Sequence, residues 1–243
     1  MLSEIWSFQY AYSIGINFLM YAPFFLFLFY WRKDTRKQML IAGLSFGIVA
    51  FLTEPIFIKY YWHPEYIFPL FIKGIQIGSF EDFFYGFLKG GIAAVIYEEI
   101  FSQTTCKMRS HVHNWRRMIL PIYLGGFILF LLPTIAFNVN PIFSSALSCL
   151  LFLVYLLIYR KDLLTHAIYS GLIISIITFI GYIIILFIYP GLIESWWKTD
   201  SLVGIYILGI PIEELLEGFI VGFFGGVFYE FFNGLKFKRY NKN

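Results

Sequence analysis

Two pairs of neighbouring carboxylates, Glu81 with Asp82 and Glu213 with Glu214, stand near the start of long, mostly apolar stretches. A charged side chain inside such a stretch is expensive, and it usually marks a site rather than a surface. A neighbouring carboxylate and an apolar wall both favour the protonated form of an acid. A carboxyl that is protonated near neutral pH can act as a general acid. Glu54 is a third acid of this kind, deep at the end of another apolar run. The plainer alternative is a helix start. Ser79 precedes the first pair and Pro211 lies two residues before Glu213, a pattern in which the helix dipole stabilises carboxylates at the first turn.

The pairs belong to a repeat. Residues 80–101, FEDFFYGFLKGGIAAVIYEEIF, align without gaps on residues 212–233, IEELLEGFIVGFFGGVFYEFFN, at an offset of 132. Glu81 then matches Glu213, Asp82 matches Glu214, Gly86 matches Gly218, Gly90 matches Gly222, Tyr97 matches Tyr229 and Glu98 matches Glu230. A second block repeats at an offset of 128, with RKD at 32–34 returning at 160–162 and Gly43-Leu44 at Gly171-Leu172. Asp82, Gly86 and Gly90 fall at i, i+4 spacing, continued by Ala93 or Ala94 and Tyr97. Glu214, Gly218, Gly222, Gly225 or Gly226 and Tyr229 do the same. Small residues at this spacing let helices approach closely in lipid, and the glycines alone need mean no more than that. Of the three acids in EELLE, Glu217 has no acidic counterpart, since Tyr85 takes its place.

Elements that can position such acids follow from composition. The chain has 243 residues, 59% hydrophobic and 14% charged. Soluble domains carry about a quarter charged residues, so this is the composition of a membrane protein. Stretches of about twenty apolar residues fall at 10–31, 38–58, 79–101, 118–137, 141–159, 163–189 and 205–232. The expected fold is an all-α polytopic membrane protein of seven transmembrane helices. It is a single membrane domain over 1–243, with repeat one at 10–101, a linking helix at 118–137 and repeat two at 141–233. Corresponding helices run the same way, so the repeats are expected to be parallel. Basic residues gather after the odd-numbered segments, as Arg32, Lys33, Arg36 and Lys37, then Lys107, Arg109, Arg116 and Arg117, then Arg160 and Lys161, then Lys236, Lys238, Arg239 and Lys242. The positive-inside bias then puts the N-terminus outside and the C-terminus in the cytoplasm of an integral cell-membrane protein. Met1–Gln9, which carries Glu4 and no basic cluster, does not read as a cleaved signal peptide. Cys106 and Cys149 have no paired spacing, and Cys106 with His111 and His113 reads as part of a solvated basic loop rather than a metal site.

The paired halves, each with a PxEE-type motif and a Trp-containing outer loop, resemble the lycopene cyclase domain of heterodimeric and fused carotenoid cyclases. Pro211, Glu213 and Glu214 match the motif; Glu81 and Asp82 match its acids, with Ser79 in place of the proline. TEPIFIKYYWHPEYI (53–67) and ESWWKTD (194–200) look like the family's Trp-containing stretch. Glu54 stands where members often place an Asp, and Tyr189 takes that place in the second half. The resemblance implies a redox-neutral cyclisation without a cofactor or metal. One acid protonates the terminal double bond of a linear carotenoid, the cation closes to a six-membered ring, and a carboxylate removes a proton. The expected catalytic residues are Glu213, Glu214, Glu81, Asp82 and Glu54. Trp62, Trp196, Trp197, Tyr97 and Tyr229 are the expected substrate-binding residues, since aromatic faces stabilise cations. The enzyme class would be an isomerase, or intramolecular lyase, of carotenoid biosynthesis.

The expected partners are a hydrophobic polyene or lipid-like substrate and membrane lipids, with no nucleic acid; a homo-oligomer is left open. A rhodopsin-like photoreceptor is excluded because 205–232 holds no lysine for a retinal Schiff base. A non-enzymatic carotenoid or lipid binder and a proton-coupled transporter are the competing readings, because paired acids in parallel repeats suit both. Glu98, Glu99 and Glu230 are expected near an interface, and Lys89, in mid-segment, either pairs with an acid or snorkels.

Overall fold

The computed structural model describes residues 8–108 and 119–239. Long helices dominate it: α1 (Ala11–Trp31), α2 (Arg36–Tyr60), α3 (Phe80–Ile100), α4 (Ile119–Phe137), α5 (Pro141–Tyr159), α6 (Lys161–Ile188) and α7 (Ile212–Asn233). α1 opens with a wide π-helical run, Ala11–Tyr21, before tightening to an α-helix. Six of the described helices, all but α3, are long and apolar enough to cross a membrane. α3 has the length, 21 residues, but carries Glu81, Asp82, Lys89, Glu98 and Glu99. Its charges are tolerated because the helix is central: it packs against α1, α2, α6 and α7 and buries nearly everything from Gly90 to Glu98.

The described chain is mostly helical, as expected, and short strands join the helices. They are β1 (Pro69–Ile72), β2 (Ile75–Ser79), β3 (Gln103–Lys107), β4 (Tyr206–Ile207), β5 (Ile210–Pro211) and β6 (Leu235–Arg239). They pair antiparallel as β1 with β2, β3 with β6, and β4 with β5. The segment expected to span from 205 starts later for the same reason: 206–211 is a hairpin, and helix begins at Ile212. Both hairpins turn on two left-handed residues, Lys73-Gly74 and Leu208-Gly209, at φ of 50° and 80° and of 51° and 82°. This is the backbone that two-residue turns require, and glycine supplies half of it without strain.

Packing follows the glycines. α2 packs most extensively on α3, and α6 on α7, while α4 pairs with α5. A Cβ added to Gly43 on α2 would lie 2.8 Å from the Phe87 carbonyl oxygen, and one added to Gly171 on α6 would lie 3.0 Å from that of Phe219. Those two contacts are related by the offsets of 128 and 132 seen in the sequence. α3 and α7 then meet at the centre of the bundle. The loops before them are tied together as well: Trp62 and Trp197 form an antiparallel bridge, with His63 N–H donating to the Trp196 carbonyl at 2.6 Å and Lys198 N–H to that of Tyr61 at 2.9 Å.

Candidate active site

A cavity of about 390 Å³ lies at the Trp62 end of the bundle, walled by α1, α2, α3, α4, α5 and α7. Its walls are largely aromatic and aliphatic, among them Phe46, Phe57, Phe130 and Phe224. Glu54, Asp82, Glu214, Glu217 and Lys89 reach it from three helices. Ligand cavities commonly run from about 300 to 1,000 Å³ and combine this apolar lining with a few converging polar groups.

Glu54 sits in the last turns of α2, 5% exposed. Its Oε1 accepts from the indole of Trp62 at 2.8 Å and the hydroxyl of Tyr66 at 2.7 Å. Burial, and then the nearness of Glu54 and Asp82, push the Tyr66 phenol well up from its ordinary value, so it stays a donor. Asp82 caps α3: its Oδ2 accepts from Ser79 N–H at 2.6 Å and Ser79 Oγ at 3.1 Å, half of a capping box. The helix-start reading therefore applies to one oxygen of Asp82. The other, Oδ1, is buried without a normal hydrogen-bond partner, as is the hydroxyl of Tyr12 beside it.

Glu214, one turn into α7 and 4% exposed, is saturated differently. Oε1 accepts from Tyr61 at 2.5 Å and from the Trp197 indole at 2.8 Å, and Oε2 from Tyr182 at 2.5 Å. Its two oxygens thus take three side-chain donors. Tyr61 ends α2, so the first half of the chain completes the site of the second. Tyr182 lies 128 residues after Glu54. It, rather than Tyr189, occupies the register of Glu54, while Tyr189 packs beside Gly15.

Glu81 and Glu213, the other member of each pair, face the loops instead. Glu81 Oε1 accepts from Ser13 Oγ at 3.0 Å and from the backbone N–H of Ile67 at 2.7 Å and Phe68 at 3.2 Å. Glu213 Oε1 accepts from the N–H of Val203 at 2.6 Å. Neither lines the cavity. Each pair thus splits: one acid fastens the loop before its helix, and the next looks into the chamber.

Lys89 and Glu217 supply the remaining charges. Lys89 is fully buried and forms an ion pair with Glu217, donates to Tyr85 at 2.8 Å and lies over the rings of Tyr21 and Tyr85. Tyr85 in turn donates to Glu217 at 3.1 Å. The pair joins α3 to α7 through positions that the repeat does not equate.

This constellation stands in segments that match a known family twice. The family model for lycopene cyclase fits residues 9–100 and again residues 140–232. The chain belongs to the lycopene cyclase family. No curated protein and no solved structure matches it. Together with its long apolar helices, membership makes it an integral membrane protein with a carotenoid-cyclase-like role.

Within this lycopene cyclase family member, the structure brings Glu54, Asp82, Glu214 and Trp62 to the cavity. Trp197 reaches it through Glu214. Trp196 is buried behind them at 1% exposure, stacked on Trp197. Tyr97 and Tyr229 are not brought there. Tyr97 packs on Phe101, His166 and Phe237 at the far end of α3, and Tyr229 lies at the far end of α7. At that end Glu98 and Glu230 are buried in the protein, and both accept from Gln38 Nε2 at 2.9 Å. Glu99 pairs with Arg32 at 3.0 Å. Cys106 lies on β3, whereas His111, His113 and residues Met1–Ser7 fall outside the described residues. Sequence reasoning missed Tyr61, Tyr182, Tyr66 and Tyr12. Their signal was weak, because one tyrosine among eighteen carries no spacing of its own.

Proposed function

We propose that the protein cyclises the end group of a linear carotenoid by acid catalysis, with no net redox change. The observation that carries this reading is the convergence of Glu54, Asp82 and Glu214, from three helices and both matched segments, in one apolar cavity. Glu54 and Asp82 each have one oxygen occupied by two donors and another left for a proton, which suits a general acid. Their proton adds to the terminal double bond and leaves a tertiary cation. The π electrons of an inner double bond then form the ring C–C bond and move the positive charge onto the ring. Loss of a neighbouring proton to Glu214 regenerates a double bond, so the product is an isomer of the substrate. A carbocation is so strong an acid that a carboxylate with three donors suffices as its base. The rings of Trp62 and Tyr12 stabilise the cation as it moves, and the dry wall strengthens every charge interaction with it.

On this reading Glu81 and Glu213 are loop anchors, and the chain is a seven-span bundle of two parallel repeats, α1–α3 and α5–α7, linked by α4. The N-terminus lies outside and the cavity sits in the outer half of the membrane. The test is expression in cells that accumulate lycopene, with pigments separated by chromatography. Ring-bearing carotenoids are expected; unchanged lycopene beside folded membrane protein would count against the reading.

A proton-coupled carrier is the second reading, favoured by buried acids near both ends of α3 and α7, namely Asp82 and Glu214 at one end and Glu98 and Glu230 at the other. It requires pH-dependent uptake in proteoliposomes.

A further inference from the structure

We propose that the chamber is loaded sideways from the hydrocarbon core, through a mouth between α2 and the α4–α5 pair, and takes only one end of a long unsaturated chain. The rest of the chain stays outside, against α2 and α4. This rests on the cyclase reading for the identity of the guest, but the route itself rests on geometry.

The acids at the chamber's inner wall are nearly inaccessible, whereas other residues of the same cavity face outward. Val49 and Leu52 on α2 and Phe127 on α4 are 57%, 67% and 56% exposed. In a membrane-spanning bundle, such apolar surface faces lipid, so the cavity opens into the bilayer there. α2 and α5 touch only marginally, since α2 is committed to α3 and α5 to α4. Three hydroxyls at this place are turned away from the opening. Thr53 donates to the Val49 carbonyl at 2.8 Å, Ser145 to that of Pro141 at 2.8 Å and Ser148 to that of Gly126 at 2.6 Å. The mouth therefore presents methylene and methyl groups to whatever passes, as a lipid-facing surface must.

The register-related place on the other side of the bundle is shut. An offset of 128 carries Thr53 to Gly181 and Ser148 to Met20. Met20 on α1 lies so close on α6 that a Cβ at Gly181 would be 2.3 Å from its Cγ. α1 also packs on α3. One side is plugged by a methionine and the other is open. At about 390 Å³ the chamber is near the small end of ligand cavities. It accommodates a ring-sized end group and the first part of its chain. Selection should then act on the end group and be indifferent to total length or to the group at the other end.

The experiment uses the full chain in lipid nanodiscs with a farnesyl benzophenone ether as a photoreactive unsaturated probe, the labelled peptides being mapped by mass spectrometry. Labelling is expected to concentrate in residues 46–57 and 142–148. It should fall at least about tenfold, the effect of some 1.4 kcal/mol, in Ser148→Trp and in Thr53→Phe. Ile184→Trp, at a lipid-facing position of α6, should label like the native chain. Native labelling of 46–57 in both mouth variants, with helix content unchanged, overturns the proposal; so does a label concentrated on α1 and α6. If probe labelling follows the mouth but lycopene-producing cells form no rings, the route stands and the cyclase reading falls. If rings form at native yield in both mouth variants, the route falls and the cyclase reading stands.

Discussion

Trp62 and Trp197 face each other across an antiparallel bridge, ring centroids 5.4 Å apart, and each gives its indole N–H to a different carboxylate. Trp62 donates to Glu54 and Trp197 to Glu214, both at 2.8 Å. One aromatic wall thus fixes the acid contributed by each half of the chain, so the separation of Glu54 and Glu214 depends on two rigid rings rather than on flexible loops.

Replacing Trp62 by Phe keeps a ring but removes the N–H to Glu54. Ring yield per folded protein should fall about tenfold, the equivalent of one hydrogen bond of some 1–1.5 kcal/mol. Trp196→Phe is the control, because its buried N–H has no partner and its loss should be neutral or stabilising. Equal losses in the two variants would remove the special role of Trp62.

The acids should separate into two kinds. Glu54→Gln and Asp82→Asn are expected to lower cyclisation by about 10²–10⁴-fold at nearly native abundance, the range for loss of a positioned proton donor. Glu81→Gln and Glu213→Gln should retain the chemistry but melt earlier, because each weakens hydrogen bonds that hold a loop. Pigment analysis and thermal melts of the same preparations decide it. Abolished chemistry in Glu81→Gln with an unchanged melting temperature would reverse the assignment.

Lys89→Met strands Glu217 as an unpaired carboxylate beside α3, and it should cost about 3–5 kcal/mol. Lys89→Met combined with Glu217→Leu should recover most of that loss, since apolar replacement of a whole buried pair is often neutral. Denaturation of the single and double variants in detergent measures the coupling. Additive losses would show that the two charges do not depend on each other.

Close helix approach should be least forgiving where a glycine meets backbone. Gly86→Ala would put a Cβ 2.5 Å from the Phe46 carbonyl oxygen, and Gly222→Ala 2.5 Å from that of Ser170. Each is expected to destabilise by about 1–3 kcal/mol. Gly126→Ala, whose nearest neighbour would be Ser148 Cβ at 3.8 Å, should cost little. Unfolding curves that rank Gly126→Ala worst would refute this account of the packing.

The acid pairs and the glycine stripes were legible in the sequence because they recur at fixed offsets, and recurrence survives without any knowledge of contacts. The hairpin at 206–211 was hidden, since its residues are as apolar as a span; only Leu208-Gly209 hinted at a turn. The division of labour within each acid pair could not be read, because neighbouring positions on a first helical turn differ by about 100° in direction and only the loops decide which one they meet. Tyr61 reaching Glu214 across 153 positions has no local signature either. Lys89 and Glu217 were visible as charges, and pairing with an acid was one of the two readings of Lys89, but the repeat equates neither with a charged counterpart and so names no partner.

That mismatch between Lys89 and Glu217 also acts as an address. The halves are alike enough for each to pair with a copy of itself. In such an assembly of two first halves, the position of Glu217 would hold Tyr85, and Lys89 would be an ammonium without its counter-ion in the membrane interior. In an assembly of two second halves, Glu217 would face Val221 where Lys89 should be. Each mispairing strands a buried charge, so a single ion pair selects the one arrangement, first half against second, in which both charges are neutralised.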